Sequence, residues 1–156
     1  MIDIYTVCQR LILHEGLRLQ PYFCSKNKLT IGVGRCIETN PFTAEEEKVI
    51  GDWRRGITKC AAIYLLQNDI KKIYKELKVE LKFFKELDDE RQYALIDMAF
   101  NLGVSGLLRF SKMLEAIKNK KYNQAAKECL NSKYAKDVPQ RANRIAKTIA
   151  SGVFRL

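Results

Sequence analysis

The stretch from Leu11 to Gly34, LILHEGLRLQPYFCSKNKLTIGVG, limits the possible fold more than any other part of the chain. Leading into it, Ile4, Val7, Cys8, Leu11 and Ile12 recur at the spacing of a helix that buries one face. The next place on that stripe holds Glu15, and Gly16 follows as a helix stop. A carboxylate buried at a helix end holds its proton more tightly unless a cation answers it, and a retained proton is what acid catalysis needs. Past the helix the period changes to two, with Leu29, Ile31 and Val33 alternating with Thr30, Gly32 and Gly34. The apolar set forms one face of a strand. The hydroxyl and bare glycines form the other, a floor that something flat could approach. Ser25-Lys26-Asn27-Lys28 supplies the preceding turn, so an acid-ended helix leads into a small hairpin with a thiol, Cys24, near its bend.

The remaining chain reads as helices. The first is expected over about 3–15 with Asp3 as its cap, and the hairpin region over about 17–38. Thr43-Ala-Glu-Glu46 is a capping box opening a short helix to about Ile50. Thr58 caps a long helix to about Lys78, with Ala62, Leu65, Leu66, Ile70, Ile73 and Leu77 inward and Lys71, Lys72, Lys75 and Lys78 on a solvated face. Asp88 and Asp89 open a helix over about 89–102 that is apolar almost all round and is therefore expected to be buried. Asp97 and Asn101 lie four apart on it and need partners or a cleft. Shorter helices are predicted near 111–118, 123–131 and 139–150, with Ser111 and Asn123 as caps and Pro139 at a helix start. The fold class is α+β and mostly helical: a small N-terminal hairpin lobe (about 16–57), a linking helix (about 58–78), and a helical lobe (about 79–156) onto which helix 3–15 packs.

Charge and cysteines bound the chemistry. A net charge of +10 favours polyanions: nucleic acid, anionic lipid surfaces or acidic wall polymers. Five cysteines with no CxxC pair and no zinc-like spacing suit a reducing compartment, with Cys8 and Cys129 on apolar stripes as core residues. No segment reaches the roughly 20 apolar residues of a membrane span, and no basic start with an apolar run marks a signal peptide.

Taken together, these residues resemble the phage-type lysozymes, the T4-like family of glycoside hydrolases, over nearly the whole chain. Glu15, Cys24 and Thr30 fit its N-terminal signature: a Glu, eight residues, an Asp or Cys, five residues, a Thr. AFNLGVSGLLRF (99–110) resembles its buried central helix and following loop. VPQRANRIAKTI (138–149) resembles its late Pro-x-Arg-Ala-x-Arg helix start.

The resemblance implies a two-lobed fold with a cleft between lobes. It also implies inverting cleavage of the β-1,4 bond between N-acetylmuramic acid and N-acetylglucosamine in peptidoglycan. Glu15 would be the general acid, Thr30 would orient water, and Cys24 would stand in the usual Asp position. An inverting site separates its two groups by roughly 6.5–9.5 Å to admit that water. Cys24 has three open readings: working base, with the lysines at 26 and 28 lowering its pKa; passive filler; or redox lock, with Cys36 or another thiol as partner. Arg141 corresponds to the arginine that pairs with the acid. Phe100, Asn101, Cys36 and Tyr134 correspond to substrate contacts, with Arg35 and Cys36 at the cleft rim.

The expected protein is thus a monomeric phage or prophage endolysin acting on peptidoglycan. It needs no metal or organic cofactor, binds no nucleic acid and has no stable membrane insertion. It is expected in the host cytoplasm before lysis and reaches the wall by a separate export or holin route. A non-catalytic wall-binding protein of the same fold, or a basic nucleic-acid binder, are the rival readings. Against the second, the lysines are scattered and no familiar reading motif is present.

Overall fold

A computed structural model describes residues 2–156. Backbone contacts divide the chain into two compact units, Ile4–Lys71 and Lys72–Leu156, with residues 2–3 counted in the second.

In the first unit, α1 (Ile4–Glu15) buries Val7, Cys8 and Leu11, the inward stripe of the sequence pattern. It stops where Gly16, at φ +78°, donates its N–H back to the Ile12 carbonyl at 2.8 Å. A three-stranded antiparallel sheet follows, in the order β1 (Arg18–Phe23), β2 (Leu29–Gly32), β3 (Arg35–Cys36). Tyr22 faces Thr30 and Phe23 faces Leu29, but the register slips between Tyr22 and Arg18. Pro21, which has no N–H to give the ladder, sits in that irregular stretch. Across the other side, Thr30 faces Cys36 and Ile31 faces Arg35.

The expected bare floor is not open. Thr30 and Gly32 are both buried, and a Cβ built on Gly32 would stand 3.6 Å from the Ala62 Cβ and 3.7 Å from Ile57. The small residues let a helix approach closely rather than a ligand. Val33 lies past the strand end yet is buried too.

The capping box forms as read. Thr43 Oγ1 accepts from Glu46 N at 3.1 Å, and Glu46 Oε1 accepts from Thr43 N at 3.2 Å, opening α2 (Ala44–Ile50). Thr58 Oγ1 accepts from Ala61 N at 3.0 Å to start α3 (Lys59–Glu80). At 22 residues it is about 33 Å long. The unit boundary, between Lys71 and Lys72, falls inside it. Ile31, Ile50, Ile57, Ala61, Ala62 and Leu65 make the core of the first unit, with Phe42 and Trp53 packed on it.

In the second unit, α4 (Asp89–Leu102) starts at its cap Asp88, and every residue from Gln92 to Ala99 is buried. α5 (Val104–Leu108), α6 (Ser111–Lys118), α7 (Tyr122–Leu130), α8 (Lys133–Asp137) and α9 (Pro139–Ser151) follow; α9 packs on α4 and α7, and α6 packs on α7. Ser111 and Asn123 are not caps. They lie inside α6 and α7, whose preceding residues, Phe110 and Lys121, make no side-chain cap bond. Ser132, which no helical period marks, is a cap: its Oγ accepts from Ala135 N at 3.2 Å to open α8. Pro139 occupies the first turn of α9, where its missing N–H leaves no partner unmet. No helix among the described residues is long and apolar enough to cross a membrane.

Candidate active site

Glu15, Cys24, Thr30 and Cys36 all belong to the first unit. Glu15 is the last residue of α1 and is half-buried, less shielded than its place on the apolar stripe implies, because the exposed Gly16 ends the helix beside it. Its carboxyl lies against the β2–β3 turn. A Cβ on Gly34 would come within 2.9 Å of Glu15 Oε2 and 3.2 Å of its Cδ. Gly34 has φ +63°, so both the turn and the close approach call for glycine.

Cys24 begins the tight turn between β1 and β2. Its N–H donates to the Lys28 carbonyl at 3.0 Å, and its carbonyl accepts from Asn27 N at 2.8 Å. The thiol is held below its ordinary range, chiefly by the backbone N–H groups of Lys28 and then Lys26, which favour the thiolate; slight burial opposes them and the Thr30 hydroxyl assists. This corrects one expectation. The effect comes from main-chain amides at 26 and 28, not from the ammonium groups, which extend into solvent where water screens them.

Thr30, only 3% exposed, donates its hydroxyl to the Lys28 carbonyl at 2.8 Å. A hydroxyl has one proton but two lone pairs, so Thr30 can hold the turn or turn its proton toward the sulfur, not both at once. Cys36 is Thr30's partner across the ladder and is half-buried, with its thiol free.

Tyr22 belongs to this cluster, although no motif in the sequence singles it out. It faces Thr30 across β1–β2, and the Arg18 guanidinium lies 4.4 Å from its ring centroid. Burial pushes its hydroxyl pKa up; Arg18 opposes, and the charges of Glu15 and Cys24 push the same way as burial. Tyr22 is therefore within electrostatic reach of both groups. The available signal was strand parity, since 22 and 24 share a face.

Arg35 was expected at a rim and lies inside. It is 3% exposed and ion-paired with Glu46 at 2.9 Å and with Asp69 at 3.1 Å. Both partners are distant in sequence, so local patterning could not show them.

The second unit holds the other candidates. Arg141 is buried, with Nε donating to Asp97 Oδ1 at 2.7 Å and Nη2 to the Asp97 carbonyl at 3.4 Å. Asp97 Oδ2 accepts from the Tyr93 hydroxyl at 2.8 Å. The polar partner that the buried Asp97 demanded is thus supplied from α9. Phe100 and Asn101 are half-buried in the last turn of α4. Tyr134 is an interior residue, its ring edge-on to Phe110 at 6.2 Å. A surface hollow of about 330 Å³ opens beside Arg109, Phe110, Lys112, Glu128 and Asn131, and contains none of the sequence candidates. Size alone does not mark the chemistry: the hollow's one carboxylate, Glu128, shares its α7 turn with Gln124, which donates to it at 3.0 Å. Among the described residues no group of three or more His, Cys, Asp or Glu could hold a metal ion.

Comparison with known proteins agrees with the residue pattern. The family model described as phage lysozyme matches residues 13–147. The chain is 32% identical over 154 residues to "Probable T4-type lysozyme 1" of Dictyostelium discoideum, covering 90% of this chain and 91% of that protein. It is 26% identical to "Probable T4-type lysozyme 2" of the same organism, with the same shares covered. It is also 30% identical over 151 residues to the "Pre-baseplate central spike protein Gp5" of Enterobacteria phage T4, covering 88% of this chain and 26% of that protein.

Proposed function

Because the chain belongs to the phage lysozyme family and is a glycoside hydrolase acting on peptidoglycan, we propose that it cuts the β-1,4 bond after N-acetylmuramic acid with inversion, using Glu15, Cys24 and Thr30. Glu15 hands its proton to the glycosidic oxygen as the bond to the anomeric carbon breaks. Water attacks from the opposite face of the sugar. The Cys24 thiolate takes the proton that this water sheds, and Thr30 orients the water. After product leaves, the proton passes from the thiol to solvent and Glu15 is reprotonated. The role of Arg141 toward the acid, and sugar contacts at Phe100, Asn101 and Cys36, are carried in this proposal from the family resemblance; Tyr134, also expected as a contact, is buried against Phe110 and packs in the interior instead.

The observation that carries the reading is the cluster itself. An acid rests against a glycine turn, and on the same hairpin lies a thiol that backbone amides bias toward its charged form, beside a buried hydroxyl. The backbone amides that favour the Cys24 thiolate support the working-base reading.

The test is loss of turbidity in a peptidoglycan suspension. Wild type is expected to lyse it, and Glu15→Gln, which keeps the shape but has no acid proton, to lose about a thousandfold in rate, the range general acid catalysis supplies. NMR of the first product should show the α-anomer. An initial β-anomer would discard inversion, and a Glu15→Gln protein with native rate would discard the whole assignment.

A further inference from the structure

Gly34, Arg35 and Cys36 are consecutive, and each meets something different. Gly34 presses its backbone on the Glu15 carboxyl. Cys36 faces Thr30 across the ladder. Between them Arg35 points inward and uses every donor it has. Nε gives to the Asn40 carbonyl at 2.8 Å. Nη1 gives to Glu46 Oε2 at 2.9 Å and Asp69 Oδ1 at 3.1 Å. Nη2 gives to Glu46 Oε1 at 3.1 Å and the Pro41 carbonyl at 3.3 Å. A guanidinium has five N–H donors, and all are matched.

The acceptors are themselves fixed. Glu46 also closes the capping box of α2. Asp69 sits on α3 and takes a second bond from Asn40 Nδ2 at 2.9 Å. β3 is only two residues long, too short to hold its own place by ladder bonds alone.

We infer that Arg35 is a positioning residue for glycosidic cleavage: through Glu46, Asp69 and the 40–41 carbonyls it anchors β3, so that Gly34 stays against Glu15 and Cys36 keeps Thr30 in register beside Cys24. The inference deepens the muramidase proposal and rests on it. Arg35 touches no substrate in this scheme. It acts through its two chain neighbours. Lysine cannot replace it, because an ammonium has three donors and no planar fork to meet a carboxylate at both oxygens.

The experiment uses the full chain as wild type, Arg35→Lys and the milder Asp69→Asn, which removes one acceptor charge and leaves the Arg35–Glu46 fork in place. Three quantities are read: kcat and KM on solubilised uncross-linked peptidoglycan strands, the folded fraction by circular dichroism, and the pH profile of iodoacetamide labelling at Cys24 resolved by mass spectrometry. Per folded molecule, Arg35→Lys is expected to lower kcat at least tenfold with KM within twofold. Asp69→Asn should lie between it and wild type. Labelling of Cys24 near neutrality should slow at least threefold in Arg35→Lys, since the hairpin no longer holds its donors on the sulfur. Unchanged kcat and unchanged Cys24 labelling in both variants, with only a lower melting temperature, would overturn the inference and leave Arg35 a stability residue. A wild type that cuts no peptidoglycan while the variants still shift Cys24 labelling would sink the muramidase proposal yet support the anchor.

Discussion

Each unit buries an arginine, and the two are built inside out relative to one another. In Ile4–Lys71 the cation is central: Arg35 is ringed by two carboxylates and two carbonyls. In Lys72–Leu156 the anion is central: Asp97, fully buried, takes the Arg141 guanidinium on one oxygen and the Tyr93 hydroxyl on the other. The difference shows where each unit is fragile. A buried ionic cluster contributes little net stability when intact, but losing its central member strands the others away from water. For the helical unit that member is an aspartate inside α4. For the hairpin unit it is Arg35, next in sequence to the Gly34 turn that lies against Glu15, so there the fragile point adjoins the proposed acid.

The comparison is tested most strongly at Asp97. Asp97→Ala should cost about 3–5 kcal/mol in urea unfolding, the usual result of removing one partner from a buried pair. A loss below about 1 kcal/mol would mean that Asp97 is not the centre of its cluster. The hairpin unit offers a sharper contrast between two glycines. Gly34 and Gly51 both have positive φ, +63° and +71°, but a Cβ on Gly51 meets nothing within 4 Å. Each alanine should cost about 1–3 kcal/mol of backbone strain. Only Gly34→Ala also displaces the Glu15 carboxyl, so it alone should slow lysis, by about tenfold per folded molecule. Equal rates for the two variants would detach the turn from the acid.

What the sequence revealed follows the range of its signals. The α1 stripe, the Thr43 box, the Thr58 cap and Pro139 are all decided within one or two helical turns, and each stands as read. The E-x8-C-x5-T spacing named three residues that the hairpin gathers into one unit. The failures lie where the deciding contact is distant or the element is too short to carry a pattern. Arg35 meets partners 11 and 34 residues away, so its burial is a tertiary fact that its neighbours in sequence do not encode. α5 and α8 are five residues each, too short for a helical period to register. Gly32 looked like an open floor because nothing local announced that Ala62 would fill the space above it.

Two thiols extend the contrast. Cys129, on the buried face of α7, has its pKa pushed up to about 12 by desolvation, whereas the Cys24 thiol is held down by hairpin amides. Near pH 8, iodoacetamide should label Cys24 and spare Cys129 until the protein unfolds. Cys24→Ala should lower the lytic rate at least tenfold, and by about a hundredfold if the thiolate supplies what a general base typically does. Cys24→Asp should retain activity and extend it toward lower pH. The base works in its ionised form, which is lost as pH falls through its pKa, and an ordinary Asp near 3.9 loses it later than a thiol does. Equal acid limbs in wild type and Cys24→Asp would remove the thiolate from the mechanism.

The smallest expected effect is the pH dependence of the Arg35 cluster. Burial pushes the Glu46 carboxyl up, but hydrogen bonds from Arg35 and the Thr43 N–H, with the charge of Arg35, outweigh it and leave the pKa below its ordinary 4.5. The sign follows from linkage. A depressed carboxyl adds stability that is fully present above its unfolded pKa and disappears as pH falls through the lower folded one. Urea midpoints of wild type should therefore fall as pH drops below about 4.5, and Glu46→Gln, with nothing to protonate, should start lower and fall less steeply. Asp97→Asn, which alters the other unit's cluster, should leave the Glu46 contribution to that slope in place. Parallel curves for wild type and Glu46→Gln would show that the carboxylate facing Arg35 is not what acid removes, and the cation-centred description of the hairpin unit would have to be rebuilt around Asp69 alone.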